Sequence, residues 1–109
     1  MGASKTDHFS IKQNGIARMT KAMGHPARVA IIEYLLKVNR CICDDIVQEF
    51  PLSQPTISQH LRELKNAGLI KGSTESNRIC YCIDEKGVEK LKIYFTNISQ
   101  KLSNSNICC

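Results

Sequence analysis

The chain has 109 residues, with 15 Lys and Arg against 10 Asp and Glu, a net charge of +5 and an isoelectric point near 9.0. That length fits one domain, and 42% hydrophobic with 23% charged residues excludes wholesale disorder. The longest aliphatic run, Val29-Ala30-Ile31-Ile32, is far short of the roughly 18 residues that cross a bilayer, and Met1-Gly2-Ala3-Ser4-Lys5-Thr6-Asp7 lacks the apolar core of a secretory leader. A cytoplasmic protein with no membrane partner is expected, and the basic excess favours a polyanion.

In chain order, a first helix is expected from about Asp7 to Met23, with Ile16, Met19 and Met23 on one stripe. Gly24-His25-Pro26 breaks it, and Pro26 opens a second helix whose core face carries Val29, Ile32, Leu35 and Leu36. Arg40-Cys41-Ile42-Cys43 is short and β-prone. Asp44-Asp45 then favours the start of a third helix through the helix dipole, running to about Phe50 with Ile46, Val47 and Phe50 as its apolar contacts. Ser53 is placed to cap a fourth helix with Pro55 in its first turn. That helix carries Ile57, Leu61 and Leu64 at helical spacing and stops at Gly68, with Leu69 in the position a Schellman motif fills with an apolar contact. Strands are expected near 69–73 and 79–83, around a polar tip from Thr74 to Arg78. A last helix spans about Glu85 to Leu102, and 103–109 reads as a flexible tail carrying Cys108 and Cys109.

The order α-α-β-α-α-β-β-α defines a mainly α chain with a small β-hairpin, the winged helix-turn-helix arrangement, in a single domain over 1–102. Away from its apolar stripe the fourth helix offers Gln54, Thr56, Ser58, Gln59, His60, Arg62 and Lys65, side chains of the kind that read base edges and hold phosphates. Ser53 at its start, and Lys71, Asn77 and Arg78 on the wing, complete the candidate contact set for double-stranded operator DNA.

Six cysteines, Cys41, Cys43, Cys80, Cys82, Cys108 and Cys109, fall in three close pairs. They are too few for a disulfide scaffold, and a reducing compartment argues against structural disulfides. Thiolates select soft or borderline ions such as As(III), Cd(II) or Zn(II). If Cys41-Ile42-Cys43 lies beside Cys80-Tyr81-Cys82, residues two apart face the same side, and four sulfurs reach one patch, close enough for a shared soft ion or a disulfide. The alternative is that Cys108-Cys109 folds back onto Cys41 and Cys43.

Gly24-His25-Pro26-Ala27-Arg28, Cys41-Ile42-Cys43-Asp44, the run from Leu52 to Leu61 (LSQPTISQHL) and that from Leu64 to Ile70 (LKNAGLI) resemble the ArsR/SmtB family of bacterial metal-sensing repressors. The resemblance implies a homodimer on operator DNA, released by an inducer, with the first and last helices at the dimer interface. It also implies a soft-ion site at the Cys-x-Cys, often with a third Cys three residues on; here that position is Ile46, and no Cys precedes Cys41. The family's other site, on the last helix, needs acidic and His ligands, but His8, His25 and His60 all lie elsewhere. The periodicity agrees on dimerisation: Val88, Leu91, Phe95, Ile98 and Leu102 alternate at spacings of three and four, and with Ile16, Met19 and Met23 form the candidate interface.

The expected function is therefore a DNA-binding repressor released by a thiophilic metal or metalloid ion. A thiol-redox or persulfide sensor would use the same cysteines, and a winged-helix interaction module would bind no DNA. No Gly-rich phosphate loop, zincin motif or C-x-x-C is present, so neither an enzyme nor an organic cofactor is expected.

Overall fold

A computed structural model describes residues 8–43 and 45–106. Its elements are α1 (Ile11–Ala22), α2 (Pro26–Val38), α3 (Asp45–Gln48), α4 (Gln54–Asn66), β1 (Ile70–Glu75), β2 (Arg78–Ile83) and α5 (Glu85–Ser103). Asp7, Asp44, Cys108 and Cys109 lie outside the described residues. Among those residues no helix is long and apolar enough to cross a membrane.

Each boundary has a local cause. A capping box starts α1: the Ser10 hydroxyl accepts from the Gln13 amide, and the Gln13 side chain accepts from the Ser10 amide, each at 3.0 Å. Pro26 sits in the first turn of α2, and the left-handed Asn39 (φ 53°) closes that helix. The third helix is shorter than expected because Pro51 follows and biases Phe50 away from helical backbone. At the end of α4 the Leu69 amide donates to the Leu64 carbonyl and the Gly68 amide to that of Lys65, both at 3.0 Å. With Gly68 at φ 83° this is the expected Schellman motif.

Both strands reach further toward the tip than expected. Ser76 (φ 50°) and Asn77 (φ 67°) form the whole turn, and two consecutive left-handed residues make the type I′ geometry that matches the twist of paired strands. The register runs from Ile70 opposite Ile83 to Glu75 opposite Arg78. A separate antiparallel bridge joins Ile42 to Tyr81, with reciprocal amide-to-carbonyl bonds of 2.8 Å. The segment before α3 thereby pairs with the returning wing strand.

Ile31, Leu35, Ile42, Ile46, Ile57, Leu64, Leu69 and Ile70 fill the core. Met19 and Ala22 of α1 and Leu91 of α5 join that set, so each helix, the bridge and the wing contributes, and the hairpin is packed on the helical body rather than hung from it. Gly87 is buried at the start of α5, where a Cβ would collide with the Gly68 carbonyl oxygen. The first turn of α5 therefore docks directly on the loop that ends α4.

Candidate nucleic-acid interface and cysteine cluster

Helix α4 presents two unlike sides. Ile57, Leu61 and Leu64 are buried, while Gln54, Thr56, Gln59, Arg62 and Lys65 are exposed and Ser58 is half-buried. Thirteen residues make a rod about 20 Å long, suited to a major groove about 12 Å wide. Its polar side chains are partly pre-arranged: Gln59 donates to Glu63 at 3.1 Å and accepts from Arg62 at 2.6 Å. Ser53 holds the N-cap backbone position, but its hydroxyl makes no capping bond and instead pairs with the Thr56 hydroxyl at 2.9 Å.

His60 departs from the expected contact set. It is only 7% exposed, because its position on the helix turns it toward the start of α2 rather than toward solvent. The Arg28 guanidinium donates from Nε to His60 Nδ1 at 3.0 Å and from a terminal nitrogen to the Ala22 carbonyl at 3.2 Å. The His25 ring lies 4.6 Å from that of His60, and His25 itself caps α2 by accepting from the Ala27 amide at 3.0 Å. Burial, then the neighbouring His25 and Arg28, hold the His60 pKa below its ordinary value, so the ring is kept neutral and accepts from Arg28. In this protomer the His60 side chain is engaged with the start of α2, and little of it is left on the surface of α4.

On the wing, Asn77 and Arg78 are exposed at the tip and Lys65 of α4 approaches Gly72 of β1, where a side chain would stand 3.7 Å from its ammonium. Lys71 is exposed but lies opposite Cys82, at the base of the wing.

The Ile42–Tyr81 bridge fixes the cysteines. One step out on either side, the antiparallel register sets Cys41 against Cys82 and Cys43 against Cys80. The sulfurs follow that order. Those of Cys43 and Cys80 are joined as a disulfide with Cα atoms 3.9 Å apart; of the two outcomes left open for adjacent Cys-x-Cys strands, a shared ion or a disulfide, this pair takes the second, against the general expectation of free thiols, because direct cross-strand opposition brings the two together. Cys80 is fully buried, and its sulfur lies 3.6 Å from a carboxylate oxygen of the exposed Glu75. Cys41 is exposed and Cys82 half-buried. Burial, reinforced by hydrogen bonding to Cys41, pushes the Cys82 thiol up to about 11.

In this state the ladder holds the four sulfurs as two pairs, Cys43 bonded to Cys80 and Cys41 hydrogen-bonded with Cys82. Among the described residues the only group of three or more donor atoms within 4.8 Å of one another is Cys43, Glu75 and Cys80. Glu75, His25 and Arg28 were all missed as site residues: nothing in the sequence alone links Glu75 to Cys80, whereas the Gly24–Arg28 motif already marked the other two.

The expected interface stripe divides along its length. Met19 and Leu91 are buried in this protomer's own core, and Ile16, Met23 and Val88 pack against it. Phe95, Ile98 and Leu102 are exposed, joined by Ile93 on α5 and by Phe9 and Ile11 at the start of α1.

The fold and its polar helix define a winged helix-turn-helix DNA-binding regulator. Residues 25–71 match the family model described as bacterial regulatory protein, arsR family. The chain is 36% identical over 84 residues to an HTH-type transcriptional regulator of Methanocaldococcus jannaschii, covering 75% of this chain and 93% of that one. It is also 36% identical over 83 residues to a cadmium resistance transcriptional regulatory protein, a CadC homolog of Staphylococcus aureus, covering 73% of this chain and 68% of the relative. Among solved structures, the homodimeric winged helix-turn-helix domain of a possible ArsR-family regulator from Mycobacterium bovis superposes with a TM-score of 0.65 at 21% identity, covering 93% of this chain and 97% of that one. The chain belongs to the arsR family of transcriptional regulators, which are not enzymes.

Proposed function

We propose that the chain is a homodimeric repressor that holds operator DNA with α4 and the wing, and lets go when a thiophilic metal or metalloid ion engages the cysteines flanking the Ile42–Tyr81 bridge. One observation carries this reading: the cysteine ladder sits where the segment leading into α3 meets strand β2. One of those elements leads through α3 to the recognition helix, and the other is half of the wing. A ligand that rearranges the sulfurs changes the position of both relative to the body. Allosteric coupling of a few kcal/mol suffices for release.

Dimerisation is supported by the apolar side chains left uncovered on α1 and α5, including Ile11 at 93% exposure, and by the homodimeric state named for the Mycobacterium bovis structure. Two copies of α4 related by a two-fold axis would enter major grooves one helical turn apart, or a multiple of it, predicting an inverted-repeat operator with half-sites about 10 base pairs apart or a multiple of that.

The test is to titrate reduced protein, bound to its operator, with As(III), Cd(II) or Zn(II) and follow release by fluorescence anisotropy. Release at stoichiometric ion is expected; undiminished binding at saturation with all three overturns the metal reading. The Cys43–Cys80 link favours a second reading, in which hydrogen peroxide oxidises the two thiols to the disulfide with formation of two waters. In that case peroxide, and not metal, releases the DNA, and a thiol reductant restores binding.

A further inference from the structure

We propose that the reduced side chains of Cys43 and Cys80, together with Glu75, form a site for a borderline divalent cation, zinc or cadmium, within a single protomer. The proposal deepens the metal reading above, on which it rests only for its regulatory meaning.

The donor atoms come from three separate strands of chain. Cys43 lies in the segment before α3, Cys80 in β2, and Glu75 at the tip end of β1. The two sulfurs are joined to each other in the disulfide, and a Glu75 carboxylate oxygen lies 3.6 Å from the sulfur of Cys80; reduction frees the sulfurs to part to the separation of two ligands on one ion, each bonded at about 2.3 Å, with oxygen at about 2.0–2.2 Å. The sheet register explains the meeting. Ser73 is directly opposite Cys80, and Glu75 is two residues further along β1 on the same face, a diagonal neighbour that a long side chain reaches. Cys80 is fully buried and Cys43 half-buried, while Glu75 is exposed. The two sulfurs therefore lie on the protein side of the cluster and the carboxylate on its solvent side.

The donor set also selects the ion. Two thiolates and a carboxylate suit a tetrahedral borderline dication. Access begins with the disulfide: a thiol reductant delivers two electrons and two protons to give two thiols, and ion binding then displaces both of those protons to solvent.

The experiment uses the full chain, reduced and handled without oxygen, titrated with Cd(II) while thiolate-to-cadmium charge-transfer absorption and proton release are recorded. One ion per protomer is expected. Glu75→Gln, on an exposed side chain, should weaken cadmium and zinc binding by at least about tenfold with an unchanged circular dichroism spectrum. Cys80→Ser should abolish the charge-transfer band, and Cys41→Ser with Cys82→Ser should still bind one ion per protomer. Wild-type affinity in Glu75→Gln overturns the proposal, as does loss of the ion in the Cys41, Cys82 double variant with retention in Cys80→Ser. Operator release is scored separately: an ion bound at this site that leaves DNA binding unchanged sinks the sensory reading and keeps the site, while As(III)-driven release without cadmium binding does the reverse.

Discussion

Helices α4 and α5 share one core but turn opposite surfaces away from it. The outer face of α4 carries amides, hydroxyls and cations, with Gln59 clasped between Glu63 and Arg62. The outer face of α5 carries Phe95 and Leu102, each more than half exposed, with Ile93 and Ile98 nearly so. Aqueous solvent satisfies the first surface and not the second. The polar face can therefore wait exposed for DNA, whereas the apolar one gains free energy as soon as a second copy covers it. The contrast also shows what the inward sides do: Ile57, Leu61 and Leu64 on α4 and Leu91 on α5 hold the protomer together, leaving the outward sides to partners.

Substitutions on each side of each helix separate these roles. The largest expected effect is on an inward side: Leu64→Ala, at a fully buried position, should cost about 2–5 kcal/mol, read by urea denaturation of the whole domain. On the outward side of α5, Phe95→Asp with Ile98→Asp should convert a dimer to a folded monomer in sedimentation, with operator affinity falling at least about tenfold, because linked half-sites bind far more tightly than separate ones. An unchanged sedimentation coefficient would break the comparison. On the outward side of α4, Gln59→Ala should cost about 1–3 kcal/mol of discrimination between operator and mutated operator, with little change in non-specific binding.

A smaller effect tests His60. Its folded-state pKa is lowered, so the unfolded chain takes up a proton first as pH falls. Stability contributed by the neutral ring is complete above the unfolded value of about 6.5 and declines as pH drops below it, by no more than about 1.4 kcal/mol per pH unit for one proton. Denaturation midpoints between pH 7 and 5 should show that slope, and His60→Leu should flatten it. Smallest of all, Lys65→Ala or Arg78→Ala should weaken binding to all sequences alike and reduce the salt slope by about 1 per protomer.

Much of this was legible in the sequence because it rests on local chemistry. Spacing of Ile57, Leu61 and Leu64 identified the buried side of α4, and Gly68 with Leu69 identified its Schellman end. The pairing of Cys41-Ile42-Cys43 with Cys80-Tyr81-Cys82 is one of the two arrangements that the sequence leaves open, and the Ile42–Tyr81 bridge is present. What escaped depends on contacts between segments distant in sequence. His60 looks like its polar neighbours on a helical wheel, and only the approach of Arg28 and His25 marks it as a packing residue. The heptad stripe of α5 is continuous in sequence, yet its first half meets this protomer's core and its second half does not. Four cysteines at i and i+2 share a face, and the cross-strand register holds them as two pairs.

The contact between Gly87 and the Gly68 carbonyl has a mechanical consequence. Backbone meets backbone there, and the Asp84 amide donates to the Leu69 carbonyl at 3.0 Å beside it, so the start of α5 is held directly against the end of α4. In a dimer built on α5, rotating one subunit against the other would swing the DNA-reading rods through nearly the same angle, as on a rigid crank. The distance between grooves that the pair can straddle is then a direct readout of how the two subunits sit together.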